Sequence, residues 1–345
     1  MNPDRYLQRL WYQRRPLWLL VTLLPLSLLF AAVVALRRAA YRSGLLRSIH
    51  VTRPTIVIGN ITAGGTGKTP FVIWLAALLQ AKGLRVGIVL RGYGGTSPQW
   101  PREVDAGTSS EEVGDEAVLL ATRTGAIVAA GPDRVAAARR VIELGADVVL
   151  SDDGLQHYRL ARDIEIAVMD EYRGLGNRLL LPAGPLREPA SRLNSVDLLV
   201  RTQRASTTGQ ADAGFTSRQV VVKAQLADAA SLTSGERRTL ETFRAGPVHA
   251  IAGVGNPAAF FSALENAGLA VDARALPDHA ALTREDIRFA DDAPVLMTEK
   301  DAVKCRAIAD ERHWAVRLET QMSESDAALV SSLIDNVLHS YRENR

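Results

Sequence analysis

The apolar positions of the chain fall into two regimes. In the first, residues 17–36 run for twenty positions without a charge, and as a helix they span about 30 Å, one hydrocarbon thickness. In the second, past residue 48, short runs rich in Val, Ile and Leu recur with helix-period stretches between them. Residues 55–58, 86–90, 147–151, 164–169 and 196–200 read as strands, and residues 71–79 as a helix. Such alternation predicts parallel strands joined by helices. Residues 204–217 are small, polar and without a period, as a linker or surface hairpin would be. Beyond them strands are expected at 219–224, 249–254, 294–298 and 314–318, and helices at 257–267 and 323–339. The pattern therefore predicts an α/β chain in four parts: a membrane anchor helix with basic flanks at 1–48, a larger α/β domain with a parallel sheet core at 49–203, a linker at 204–218, and a second, smaller α/β domain at 219–345.

The flanks of the first run support a membrane role. Arg5, Arg9, Arg14 and Arg15 precede it and Arg37, Arg38, Arg42 and Arg47 follow, while Trp11, Tyr12, Trp18 and Tyr41 suit headgroup depth. Basic ends favour an anionic lipid surface. Small residues at Ala31-Ala32 and Ala39-Ala40 allow a cleaved signal peptide as the rival reading. The run is longer than a usual signal core, however, and the glycine-rich stretch TAGGTGKTP at Thr62–Pro70, which reads as a nucleotide loop, would need cytosolic ATP. Arginine counts on the two sides nearly balance, so orientation is undecided, and Pro25 permits either a kinked span or an entry that does not cross. The formal net charge is +3 over 345 residues, with many arginines placed before Arg53, so no nucleic-acid partner is read from it. Cys305 is the sole cysteine, which excludes an internal disulfide and suits a buried thiol in a reducing compartment.

Candidate chemistry begins at Thr62–Pro70, TAGGTGKTP, between a β-branched run and an apolar helix. Gly64, Gly65, Thr66 and Gly67 can crowd backbone N–H groups onto phosphate oxygens, Lys68 can reach the β/γ-phosphates, and the Thr69 hydroxyl can ligate Mg²⁺. This predicts a P-loop NTPase-like core that binds a nucleoside triphosphate, although Thr62 stands where the strict pattern has glycine. A triphosphate site needs a further carboxylate for its metal, and Asp152 or Asp153, ending a hydrophobic strand, has that form; a helix cap or turn is the bland alternative. Asp115 in Gly114-Asp115-Glu116 opens a helical pattern and is either a base or an N-terminal cap. Arg91 in RGYGG follows a strand and is a phosphate contact or a surface ion pair. Arg187 and Glu188 lie in a proline-shaped loop and either clamp an anion or pair with each other. His279 is a loop histidine whose residue type alone makes it a proton carrier or a solvated side chain. Thr298-Glu299-Lys300-Asp301 lacks the spacing of a guanine-reading N-K-x-D loop and reads first as a plain strand-to-helix turn, with a loop near the active cleft as the alternative.

In their order, the anchor, GNITAGGTGKTP (59–70), RGYGG (91–95), GDE (114–116), SDDGLQH (151–157), LLPAGPLREP (180–189) and PDH (277–279) resemble the tetraacyldisaccharide 4′-kinase family of Gram-negative bacteria. The resemblance implies ATP- and Mg²⁺-dependent phosphorylation of the 4′-hydroxyl of a tetraacylated glucosamine disaccharide 1-phosphate, giving lipid IVA at the cytoplasmic face of the inner membrane. By motif match, Lys68 and Thr69 would hold triphosphate and metal, Asp152 or Asp153 would complete the metal site, and Glu188 would contribute to it. Asp115 would accept the sugar proton, assisted by His279 from the second domain, with hinge closure bringing the groups together. Ala117, Leu155 and Ala280 depart from the family pattern without removing a chemical group. A membrane-bound partition-type ATPase switch acting through protein partners is the rival. The expected anchors differ, since such switches use a reversible amphipathic helix and a lysine where this chain has Ala63.

Overall fold

The computed structural model describes residues 11–12, 17–204, 214–277 and 282–343. Its first long element is α1 (Leu17–Arg42), helical through Pro25. The β-branched run after it forms β1 (Thr55–Gly59), buried at every position. Then come α2 (Lys68–Ala81), β2 (Val86–Leu90), β3 (Arg102–Val104), the one-turn α3 (Ser110–Val113), α4 (Asp115–Thr124), β4 (Ile127–Ala130), α5 (Arg134–Glu143), β5 (Val148–Ser151), β6 (Ile164–Asp170) and β7 (Leu198–Arg204). The second half adds β8 (Arg218–Ser231), β9 (Arg237–Thr239), β10 (Pro247–Ala252), α6 (Pro257–Asn266), β11 (Ala270–Ala275), the one-turn α7 (Arg284–Ile287), β12 (Val295–Thr298), α8 (Glu299–Cys305), β13 (His313–Met322) and α9 (Glu324–Glu343).

Both halves share one sheet, ordered β11-β10-β12-β13-β8-β7-β6-β1-β5-β2-β4-β3 with β9 on β8. The expected parallel pairing holds from β7 through β6, β1, β5 and β2 to β4 and again among β11, β10, β12 and β13. The two parallel blocks meet where β8 runs parallel to β7 on one edge and antiparallel to β13 on the other. At 14 residues β8 is long enough to belong to both. The sequence pattern missed the strands β3, β4, β9 and β11 and the helix α5: β3, β4 and β9 are only three or four residues long and β11 is largely exposed, so none shows a clear apolar period.

Strand alternation divides the core by face. Ile56 and Ile58 point to one side with Phe71, Leu75 and Leu79 of α2, Leu120 of α4, and Val330 and Ile334 of α9. Val57 points to the other and packs with Leu155, Leu186 and Leu199. Each of these fully buried side chains contributes about 1.5–3 kcal/mol by leaving water. The helix at the start of the chain behaves differently: Leu28, Leu29 and Leu36 of α1 are 68%, 64% and 71% exposed, an apolar face with no protein over it.

Candidate active site

Parallel strands deliver their carboxyl ends to one edge, and it is there that the phosphate loop and the candidate acids collect. β1 runs into the loop, and Gly67, at φ +78°, turns the chain into α2 in a conformation that a side chain would strain. Thr202, at the end of β7, holds the loop from below by donating to the Thr66 carbonyl at 2.8 Å. Asn60 holds it from within, its amide donating to the carbonyls of Thr62 at 2.6 Å and Gly64 at 3.3 Å. Gly64, Gly65 and Gly67 face outward, so the loop backbone is open to a ligand.

Lys68 Nζ lies 3.0 Å from Asn60 Oδ1 and 3.3 Å from Asp153 Oδ1. Arg187 Nη1 reaches the other Asp153 oxygen at 3.1 Å. Arg187 and Glu188 therefore do not pair with each other. Burial alone would push the Asp153 carboxyl up, but Lys68 and Arg187 overcome it and hold the group at about 2. Its neighbour Asp152 is almost wholly buried, and burial together with the nearby Glu116 pushes it up to about 7. Asp153 is thus already satisfied by two cations in ion pairs, whereas Asp152 is a buried acid on which Lys68 acts only as a nearby charge, too weakly to offset its burial. Hard oxygen donors of this kind fit Mg²⁺, which commonly takes one or two carboxylates and leaves the rest of its shell to phosphate and water. Consistent with that modest demand, no group of three or more His, Cys, Asp or Glu side chains poised for a metal occurs among the described residues. Glu188 sits behind this shell, 1% exposed, accepting hydrogen bonds from the Tyr158 hydroxyl and from Gln156 Nε2 at 2.9 Å. Gln156 also donates to the Asn60 carbonyl at 3.0 Å, so Glu188 is tied to the phosphate loop through one side chain.

Asp115 opens α4, where the positive end of the helix favours its charge. It is 5% exposed and its Oδ1 accepts from the Glu116 N–H at 2.9 Å. The preceding Gly114, at φ +86°, brings the GDE and RGYGG loops together: a Cβ there would lie 2.3 Å from the Tyr93 carbonyl oxygen. Arg91 is exposed at the end of β2. His279 lies outside the described residues.

Three cations escaped the motif reading. Arg134, nearly fully buried at the start of α5, donates to the Gly131 carbonyl at 2.8 Å, and burial lowers its guanidinium to about 10 despite Asp153 and Asp152 nearby. Its signal was available, since it opens a helix after a strand just as Arg91 follows β2. Lys300 and Lys304 come from α8, with Nζ atoms 3.8 and 3.7 Å from Asp115 Oδ2. Only folding places them there. The segment that carries them is the strand-to-helix turn the sequence suggested, with Thr298 capping α8 by accepting from the Asp301 N–H at 3.2 Å. Cys305, at the end of the same helix, is buried, and burial raises its thiol to about 12, leaving it inert.

Comparison with known proteins adds names to this geometry. The family model LpxK, described as tetraacyldisaccharide-1-P 4′-kinase, matches residues 19–338. A tetraacyldisaccharide 4′-kinase of Alkalilimnicola ehrlichii is 49% identical over 90% of this chain and 91% of its own length. One of Nitrosococcus oceani is 47% identical over 94% of this chain and 93% of its own. Among solved structures, LpxK from Aquifex aeolicus in complex with ATP superposes with a TM-score of 0.81 at 29% identity, covering 93% of this chain and 99% of that one.

Proposed function

The chain belongs to the tetraacyldisaccharide-1-P 4′-kinase family, and from that premise we propose how its residues divide the work. It is a kinase that uses ATP with Mg²⁺ to phosphorylate the 4′-hydroxyl of an acylated disaccharide 1-phosphate in lipid A biosynthesis. The partition-type switch is not favoured, because the family and its relatives are named as kinases.

The observation that carries the residue roles is the meeting, at one edge of the sheet, of a cation-lined phosphate loop and a carboxylate at a helix N-terminus. The loop amides from Gly64 to Gly67 cradle the phosphates. Lys68 exchanges Asp153 for phosphate oxygen when nucleotide arrives, and Arg91, at the end of β2, faces the same charge. Thr69 and Asp152 hold Mg²⁺, which supplies neutralisation of the phosphate charge, while Asp153 keeps Arg187 and Lys68 in place until then. Glu188 reaches the metal side of the site only through exchange of a present partner, so its role begins with fixing Gln156 and, through it, Asn60. Asp115 accepts the proton of the incoming hydroxyl, with His279 as its assistant from the second half. Phosphoryl transfer asks for such positioned charge more than for covalent chemistry.

The two-part division at residues 204–218 is part of this reading, with β8 as the joint between a nucleotide unit and a unit that bears on Asp115. So is the membrane arrangement. One helix among the described residues, Val21–Arg42, is long and apolar enough to cross a bilayer. Yet Ser27, at the middle of the uncharged run 17–36, donates to the Leu180 carbonyl and accepts from the Ala183 N–H, both at 2.9 Å. A helix stitched at its centre to the globular body cannot place that centre at mid-bilayer with the body in water. The anchor therefore enters one leaflet, that of the inner membrane facing the cytoplasm, and sets the cleft at the height of a lipid headgroup.

The test is an assay in detergent micelles with γ-labelled ATP, Mg²⁺ and the acylated disaccharide 1-phosphate. Label is expected in the lipid, and Lys68→Ala should reduce its transfer by about 10²–10³-fold, the range for losing one charge-stabilising donor in a transition state. Label released only as free phosphate, or released only when another protein is added, overturns the reading.

A further inference from the structure

The segment Thr298–Lys304 has no part in the roles above, yet it is the most heavily charged stretch packed against α4 from the second half of the chain. Its side chains are not scattered. Glu299 pairs with Arg123 in the last turn of α4 and also accepts from the Leu318 N–H at 3.2 Å. Asp301, with no solvent exposure, accepts from the Thr298 hydroxyl at 2.6 Å and the Gly253 N–H at 2.9 Å through one oxygen, and from Lys304 at 3.2 Å through the other. Lys304 therefore stands between two carboxylates, 3.2 Å from Asp301 and 3.7 Å from Asp115 Oδ2. Lys300 stands 3.8 Å from the same Asp115 oxygen and 3.5 Å from Glu116. α8 thus grips α4 at both ends, an acid against its carboxyl-terminal arginine and two ammonium groups against its amino-terminal acids.

Ordinary packing of two helices does not require this. A helix pair is stabilised by apolar contact, and a buried carboxylate such as Asp301 needs one partner, which Lys304 already provides. The second lysine, and the placement of both at one oxygen of the group read as the base, go beyond that need. At 3.7 and 3.8 Å neither ammonium is within hydrogen-bond distance of Oδ2, so they act on it as charge. At such separations an opposite charge in a poorly hydrated site still favours the ionised carboxylate and restrains its rotation.

We propose that Lys300 and Lys304 are positioning residues of the kinase reaction: they hold the Asp115 carboxylate charged and oriented, and Asp301 and Thr298 in turn hold Lys304. Because both lysines lie beyond β8, the base is set only when the second half of the chain is docked on α4. This rests on the reading of Asp115 as the proton acceptor, and the experiment separates the two.

The full chain is assayed in micelles as wild type, Lys300→Met, Lys304→Met and Lys300→Arg, each also combined with Asp115→Ala, with kcat, KM for ATP, KM for lipid and thermal midpoint measured for all. Lys300→Gln and Lys304→Gln serve as milder variants should the corresponding methionine form fail to fold. Each lysine removal is expected to lower kcat about tenfold with both KM values within twofold of wild type, Lys300→Arg to recover kcat to within threefold, and neither removal to lower kcat further once Asp115 is alanine. Full additivity with Asp115→Ala overturns the proposal, as does a raised KM for ATP with kcat unchanged, which would make the lysines phosphate ligands. Unchanged kcat with a lowered thermal midpoint overturns it too, leaving a purely structural role. An Asp115→Ala enzyme of wild-type kcat sinks the base assignment itself, whatever the lysines do.

Discussion

Both walls of the cleft set lysine beside aspartate, but the two arrangements are built differently. On the phosphate wall Lys68 meets Asp153 at 3.3 Å, Lys68 opening α2 after the loop that follows β1 and Asp153 lying just past the end of the adjacent parallel strand β5. On the opposite wall Asp115 meets Lys300 and Lys304 at 3.8 and 3.7 Å across nearly two hundred residues of sequence. In the proposed reading the first pair is exchangeable: Lys68 follows a loop whose glycines are exposed, so its contact with Asp153 is the one that would give way to phosphate. The second is permanent, fixed by a fully buried Asp301 and by the Glu299–Arg123 pair behind it. A charge meant to meet a ligand is left exchangeable, and a charge meant to act on a neighbour is locked.

The strongest way to break this comparison is at the base. Asp115→Ala should lower kcat by about 10²–10⁴-fold, as loss of a proton acceptor does, while nucleotide affinity measured by equilibrium titration stays near wild type because the phosphate wall is intact. Loss of nucleotide binding in that variant would mean the two walls are not separable. Gly114→Ala comes next. Its Cβ would fall 2.3 Å from the Tyr93 carbonyl at a backbone angle of φ +86°, so the loops carrying Arg91 and Asp115 must part. A stability loss of roughly 1–3 kcal/mol by denaturant unfolding is expected, with kcat falling more than nucleotide affinity. An equivalent Gly83→Ala, at φ +80° with nothing nearby, should leave activity alone.

A smaller effect distinguishes the walls by pH. His157, next to Gln156 behind the phosphate wall, is lowered to about 4 by burial and by Arg134, so it is neutral when folded near pH 7. The unfolded chain protonates it near 6.5, and between the two values the unfolded state binds more protons. Stability is therefore present above about 6.5 and is lost as pH falls toward 4. His157→Gln should show a shallower fall of thermal midpoint between pH 7 and pH 5; an unchanged slope would place the acid-sensitive group elsewhere. The smallest effect is expected at the anchor, where Ser27→Ala removes two hydrogen bonds worth about 1 kcal/mol each. Activity on lipid in vesicles should drop several-fold with soluble-nucleotide binding untouched, and no drop would mean that the stitch between helix and body does not matter to substrate access.

Much of this was legible in the chain before folding. The phosphate loop could be read because its chemistry depends on a few backbone amides and one lysine within nine residues, and the structure places Gly64–Thr69 at the sheet edge as that spacing requires. Asp152 and Asp153 could be read as a pair but not told apart, since burial and the reach of Arg187 decide which one is satisfied. Arg187 and Glu188, adjacent in sequence, were open to pairing, and the backbone sends them to opposite partners. That the second α/β unit continues the sheet of the first could not be read, because it depends on β8 reaching 14 residues and pairing with β7 on one edge and β13 on the other.

The sequence by itself determined the local chemistry: which strands are apolar, where glycine lets the chain turn, where a cradle for phosphate must form, and which helix has no polar face. Those depend on interactions that reach only a few residues along the chain. The tertiary structure alone decided which charges meet, that Thr298–Lys304 lies against Asp115, and that the first long helix is tied down at Ser27. Such contacts join residues over a hundred positions apart, and their strength comes from burial and distance, quantities that exist only once the sheet has closed around them.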